Sequence, residues 1–449
     1  MSGPKAFRIV TRAEIISICR RNLARLDAAI EIWTSTCKRN GRIDQSDIDR
    51  VIARRDEIRR MLDTERFTDL QKQVAAEISY LNADTERRAE KAAESEARRK
   101  GDLRRAKSAA QALLTTFETS RIKIPVDLRR ELTTPAASVE SLNMAVSKGL
   151  ILLQPTDGSG AITERQRALA DRLGAGDRRI TLEEWTSQQT GTNDDQALLK
   201  VDKFLGELAG LGIDPSPFSA RIAALEAEPR ARQALVADSL LLDLNSAIKT
   251  GRERARLERD LAERHAELSE MKSAQAAALR AEIERALAES GANDRELVKR
   301  ADLLIEAEVR SMAAEERRRA VLEGLASLGY EVSEGMMTAW VSGGRVVLRK
   351  HANPGYGVEL SGGSQTDVMQ VRTVGLGNPA DPRDAGRDKD METIWCGEFE
   401  RLQSLVAKAG GNVSIESARP VGQYPLKVVA DLAHPADVGL AGTRHLSRQ

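Results

Sequence analysis

The sequence predicts a mostly α-helical protein: long helical hairpins and an antiparallel coiled coil, a small helical bundle, and a C-terminal α+β domain in which one helix covers an antiparallel sheet. Three observations carry this expectation. Apolar residues recur at three-and-four spacing through long stretches rich in Ala, Leu, Glu and Arg. Only 3% of the 449 residues are aromatic while 31% are charged, which is not the make-up of one large globular core. After Gly329 the apolar period switches to two. These textures divide the chain into an N-terminal helical hairpin and charged helix (1–120), a small helical bundle (121–248), an antiparallel coiled coil (249–328), an α+β domain (329–430) and a disordered tail (431–449).

Thr11 followed by Glu14 forms a capping-box pattern, and Ile15, Cys19, Leu23, Leu26, Ile30, Trp33 and Cys37 then mark one face of a helix. Asn40-Gly41 ends it. A second helix carrying Ile48, Val51, Ile52, Ile58 and Leu62 follows after a short link, which favours an antiparallel hairpin. The pattern resumes at Phe67, Leu70, Val74, Ile78 and Leu81, then fades into residues 83–110, whose only large apolar residue is Leu103. That stretch is helical by propensity but is expected to have no apolar face to bury.

From Ile124-Pro125 the helices shorten, punctuated by Pro135, Gly158-Ser159-Gly160, Gly174-Ala175-Gly176, Gly191 and Pro215, with another helix start at Thr181 to Glu184. Leu199, Leu205, Leu208, Leu211, Ile222, Leu225, Leu235 and Leu240 to Leu242 supply the aliphatic surface of a small bundle. Long periodicity returns at Leu257, Leu261, Leu268 and Met271 and drifts to Leu279, Ile283 and Leu287 before a break at Ser290-Gly291-Ala292-Asn293. Asn293 and Glu296 start the next helix, with Leu297, Ala301, Leu304 and Ile305 leading toward Leu325 and Leu328. The two are expected to fold back on each other as a coiled coil.

In the α+β domain, Met337, Ala339 and Val341 alternate with Thr338 and Trp340 as a first strand, and Ser342-Gly343-Gly344 turns the chain into Arg345 to Lys350. Tyr356 to Leu360 and Val368 to Val374 complete a meander. A helix bearing Met391, Ile394, Trp395, Phe399, Leu402, Leu405 and Val406 can cover the face that carries Val346, Leu348, Tyr356, Val358, Leu360, Met369 and Val371. Val413 to Ile415 and Leu426 to Val429 are candidate edge strands.

The 69 Lys and Arg nearly cancel the 68 Asp and Glu, so no global field steers the chain to nucleic acid or an anionic membrane. Cys19, Cys37 and Cys396 form no CxxC pair, and no segment has the apolar length of a signal peptide or membrane span. A cytoplasmic protein without a membrane partner is expected, and its Ala- and Arg-rich usage suits a GC-rich bacterial genome. His265, His351, His434 and His445 are scattered singly, without metal-ligand spacing. There is no GxSxG elbow and no GxxxxGK[ST] loop, so no metal, no cofactor and no catalytic residue is assigned. Gly375-Leu376-Gly377-Asn378-Pro379-Ala380 has the form of a GxGxxA dinucleotide turn, but Pro379 and Pro382 disfavour the helix start that would hold a pyrophosphate.

Two basic patches remain. Arg98, Arg99, Arg104 and Arg105, with Lys100 and Lys107, are candidate phosphate ligands on a helix. The competing explanation is a solvated helix with Glu–Arg pairs, encouraged by Glu94 and Glu96 and by the lack of aromatic residues for base stacking. The second patch is Arg345, Arg349 and Arg372, joined by Trp340, on the sheet face opposite the covering helix. The alternative for this face is that the helix ending at Leu328 packs across it and pairs its acids with the arginines. The expected function is a non-enzymatic coiled-coil scaffold or adaptor, open to homo-oligomerisation, whose α+β domain recognises a protein partner. The alternative is a nucleic-acid-associated accessory protein of a bacterial genome-maintenance or phage-defence system.

Overall fold

The computed structural model describes residues 4–120, 122–134, 138–153, 192–227, 230–289, 295–333, 335–362, 368–380 and 382–430. The glycine clusters at 158–160 and 174–176, the helix start at 181–184, the break at 290–293 and the tail at 431–449 lie outside these residues. Among the described residues the chain forms helices α1 (Arg12–Arg39), α2 (Gln45–Asp63), α3 (Phe67–Ser120), α4 (Val126–Thr133), α5 (Val139–Leu152), α6 (Thr192–Gly210), α7 (Ser216–Ala227), α8 (Arg230–Ser269), α9 (Ala274–Ala288), α10 (Arg295–Ser327), α11 (Met336–Gly343) and α12 (Ala385–Lys408). The strands are β1 (Lys5–Val10), β2 (Arg345–Arg349), β3 (Tyr356–Gly362), β4 (Val368–Leu376), β5 (Asn412–Ala418) and β6 (Lys427–Val429). The mostly-α fold with a C-terminal α+β region is therefore as expected.

Two compact units divide the chain, and each is discontinuous in sequence: residues 1–28, 55–75 and 261–449 form one, and residues 29–54 and 76–260 the other. The boundary falls inside α1, α2, α3 and α8.

The first unit holds the sheet, with strand order β2-β3-β4-β1-β5 and β6 pairing β4. All pairs are antiparallel except β4 with β6. The β2-β3-β4 meander is the expected one. β1 departs from the sequence expectation of an N-terminal region that is helical throughout: residues 5–10 are a central strand, with Phe7 opposite Met369 and Ile415. Alternation explains its place: Phe7 and Ile9 point into the core while Arg8 and Val10 point out.

The core packs Val346, Leu348, Val358, Leu360, Met369 and Val371 of the sheet against Trp395, Phe399, Leu402 and Val406 of α12 and Val321, Leu322 and Leu325 of α10. The Phe7 and Phe399 rings meet edge-on with centroids 5.3 Å apart, a favourable aromatic geometry. Ile394, expected on this face, is exposed instead. At Gly324 a Cβ would come within 2.4 Å of Leu402 Cδ1, so a larger residue there would have to displace the end of that buried side chain between α10 and α12. α10 ends with Gly329 at φ +87° and the bonds Tyr330 N to Leu325 O and Gly329 N to Ala326 O, the Schellman pattern that closes helices.

The segment expected as a first strand at 337–341 is a helix, α11. Met336 and Trp340, four residues apart, are both buried on one face, while Val341 is exposed. Short apolar runs fit both periods, and here the four-residue match won. Gly344, at φ +67°, caps this helix rather than turning a hairpin. The long pattern at 257–287 is likewise interrupted: α8 stops at Ser269, and Ser273 caps α9 by accepting from Ala276 N at 3.0 Å. An Arg300–Glu282 pair links α9 to α10, Arg264–Asp302 links α8 to α10, and Arg25–Glu263 links α1 to α8.

In the second unit, the charged stretch 83–110 does bury a face, contrary to expectation. Ala93, Ala97, Ala106 and Ala110 of α3 are buried, and a Cβ on Gly206 of α6 would lie 2.9 Å from Ala93 Cα. Small residues at four-residue spacing let the two backbones approach, with ion pairs flanking the contact at Lys203–Glu94 and Arg104–Asp202. The expected middle bundle resolves into two apolar clusters. One joins α3, α4 and α5 through Phe117, Leu128, Leu132 and Leu142, and the other joins α6, α7 and α8 through Leu205, Leu208, Leu225 and Leu240. Trp33 donates its indole N–H to buried Asp84 at 2.9 Å, and Arg88 bridges Asp84 to Asp47.

Candidate functional site

The outer face of the sheet, away from α12, is set by three rungs of strand register. Arg345, Ser361 and Gln370 share one, Val347, Glu359 and Arg372 the next, and Arg349, Gly357, Val374 and Lys427 the third. Because side chains alternate across a strand, the same register that buries Val346, Leu348, Leu360 and Val371 against α12 sends these residues outward.

At the centre of that face is Glu359, only 2% exposed. It accepts from Arg372 Nε and from Lys427 Nζ at 2.8 Å, and Arg345 Nη1 stands 3.9 Å away. Burial alone would raise this carboxyl, but hydrogen bonds from Lys427 and Arg372 more than reverse the effect and hold it below the ordinary carboxylate range. The cations keep outward exposure: 66% for the Arg345 side chain, 41% for Arg372 and 35% for Lys427. One carboxylate thus anchors several cations, and the face retains a positive surplus.

The arginines expected at this site, Arg345, Arg349 and Arg372, do share the face. α10 does not cover it: Val321, Leu322 and Leu325 place that helix in the α12 layer. Trp340 is a correction. It belongs to α11, is 1% exposed, and donates its indole N–H to the Gly362 carbonyl at 3.0 Å, so it has no part in the arginine face. Glu359 and Lys427 were missed. Glu359 was findable, as an acid whose alternation puts it among the arginines, whereas Lys427 depends on the non-local pairing of β6.

On α3, Arg99 pairs with Glu96, Arg105 with Asp102, and Arg104 with buried Asp202 of α6. Arg98 is exposed near Glu94, whose carboxyl it helps to lower behind the larger effect of the Lys203 hydrogen bond. Arg104 is thereby tied into helix packing, while Arg98, Arg99 and Arg105 face solvent.

Gly375 and Leu376 of the GxGxxA segment lie within β4, and the next helix start is already occupied: Asp384 accepts from Gly386 N at 2.8 Å and Arg387 N at 3.3 Å. A carboxylate therefore sits where a pyrophosphate would need those amides. Among the described residues, no group of three or more His, Cys, Asp or Glu is arranged to hold a metal ion, and no helix is long and apolar enough to cross a membrane. Cys37 is fully buried, with its thiol pushed up to about 11, chiefly by that burial. Comparison with protein-family models, with curated proteins and with solved structures finds no significant match.

Proposed function

We propose that this protein is a non-enzymatic scaffold or adaptor whose sheet-bearing layer recognises an acidic segment of a protein partner. The observation that carries this reading is the outward cluster of Arg345, Arg372 and Lys427 around buried Glu359. Guanidinium groups held by a fixed carboxylate lose less freedom on binding than free surface chains, and their planar forks suit bidentate contact with carboxylates or phosphates. The long helices contribute length and surface, including the coiled-coil and self-association roles expected of such sequences.

The test is fluorescence anisotropy of the full chain against a labelled oligoglutamate peptide, with single- and double-stranded DNA and RNA oligomers as competing probes. Saturable peptide binding that nucleic acid does not outcompete supports the adaptor. Preferential, steeply salt-dependent binding of an oligonucleotide assigns the face to nucleic acid instead.

A further inference from the structure

Among the described residues β2 ends the sheet on one side, and the cationic face runs out to it. Successive residues of an antiparallel strand send their backbone bonds alternately to the two sides. Gly362 N donates to Gly344 O at 3.2 Å, and on the other side of β3 Leu376 N donates to Gly355 O at 2.9 Å. Even-numbered residues of β3 therefore bond β2. In that register Val346 and Leu348 bond Leu360 and Val358, while Arg345, Val347 and Arg349 turn their N–H and C=O groups to the edge. Among the described residues nothing bonds these groups of Arg345 and Val347.

The same three residues carry the outward side chains of β2. A strand added antiparallel to this edge would set alternate residues directly opposite Arg345 and Val347, bonded to their backbones and with side chains on the cationic face. Arg345 stands ready there, its side chain 66% exposed. The edge already takes one bond of this kind from the chain itself: Glu331 N donates to Arg349 O at 2.9 Å, before the chain turns away into α11. α11 sinks Met336 and Trp340 into the core layer and leaves the outer face clear.

The arginines decide which strand fits. Two copies of this chain paired antiparallel about Val347 would place Arg345 opposite Arg349, and like charges directly opposite destabilise a sheet. Acidic side chains at the same positions are favoured by the same rule.

We propose that the acidic segment recognised by this face joins the sheet as an antiparallel strand beside β2, with its alternate carboxylates on the arginine side. Main-chain bonds to Arg345 and Val347 hold the segment, and the guanidinium groups select acids over other extended chains. This rests on the reading above that the face takes an acidic segment, and it adds the backbone pose.

The experiment is fluorescence anisotropy of the full chain with a labelled peptide of alternating glutamate and threonine. In the proposed pose each glutamate turns its own N–H toward β2 and each threonine turns its N–H away. N-methylation of the glutamate amides should therefore weaken binding about tenfold or more, while N-methylation of the threonine amides should change it by less than about threefold. Equal affinities for the three peptides, or equal losses in the two methylated ones, overturn strand addition and leave the charge reading in place. A loss confined to the threonine-methylated peptide overturns the antiparallel pose. No binding of the unmethylated peptide at low salt overturns both the pose and the reading beneath it.

Discussion

Glu359 and Arg372 stand directly opposite each other on β3 and β4, and the nearly inaccessible carboxylate of the first accepts from the Nε–H of the second. Lys427 reaches the same carboxylate from β6, so one acid joins the sheet's meander to a strand laid down much later in the chain. The carboxyl titrates lower in the folded than in the unfolded chain. Its pairing therefore stabilises the fold fully above its ordinary pKa of about 4.3, and that stability is lost as pH falls through the depressed value.

Glu359→Gln should accordingly lower unfolding free energy at pH 7 by about 1–3 kcal/mol, and the gap from the native protein should close on acidification below about pH 4. Denaturant melts across pH 3 to 7 measure this. A gap that stays constant to the acid end would show that the charge of Glu359 contributes nothing.

The central place of β1 predicts the behaviour of a fragment. Residues 295–430 alone keep α10 and α12 but lack the strand that pairs Val368 to Val371 of β4, and they leave the Phe399 ring without Phe7. Such a fragment should melt without cooperativity, and adding a peptide of residues 4–11 should restore a transition. In the full chain, Phe399→Ala should cost about 3–5 kcal/mol. A sharp, peptide-independent melt of the fragment would show that β1 is dispensable.

What was legible in the sequence follows from range. The stripe of α1, the β2-β3-β4 meander and the covering face of α12 rest on local periodicity, and the structure has them: Cys19, Leu26, Trp33 and Cys37 are buried, as are Leu348, Leu360 and Val371. β1 was not legible because Lys-Ala-Phe-Arg-Ile-Val is short, abuts the strong helix cap at Thr11, and finds its partners at the far end of the chain. Alternation at 337–341 misled because five residues satisfy both periods. The buried face of α3 carries no stripe of large apolar residues to mark it, only Ala93, Ala97, Ala106 and Ala110 near helical spacing, and small residues become a contact face only when a partner backbone comes close. Of the cationic face, alternation alone marks the arginines and Glu359 among them, whereas Lys427 arrives through the non-local pairing of β6 with β4.

Two glycines in helices should respond in opposite directions. Gly206→Ala places a Cβ 2.9 Å from Ala93 Cα and should destabilise by about 1–3 kcal/mol. Gly397→Ala, where nothing lies within 4 Å, should stabilise by about 0.4–1 kcal/mol. Thermal melts of the two variants test the close α3–α6 approach, which equal and small effects would contradict.

The proposal that the outer face recognises acidic groups through guanidinium geometry meets its most direct test in the triple change Arg345→Ala, Arg349→Ala and Arg372→Ala beside its lysine counterpart. Both are to be titrated with the labelled oligoglutamate peptide well below their melting transitions, with circular dichroism showing the native fold, because removing Arg372 takes a partner from buried Glu359 and lowers the melting temperature. The account predicts at least a tenfold loss of affinity for the alanine variant, equivalent to about 1.4 kcal/mol, and an intermediate loss for the lysine variant, which keeps charge but not the bidentate fork. Unchanged peptide affinity in the alanine variant would contradict it and move recognition off this face.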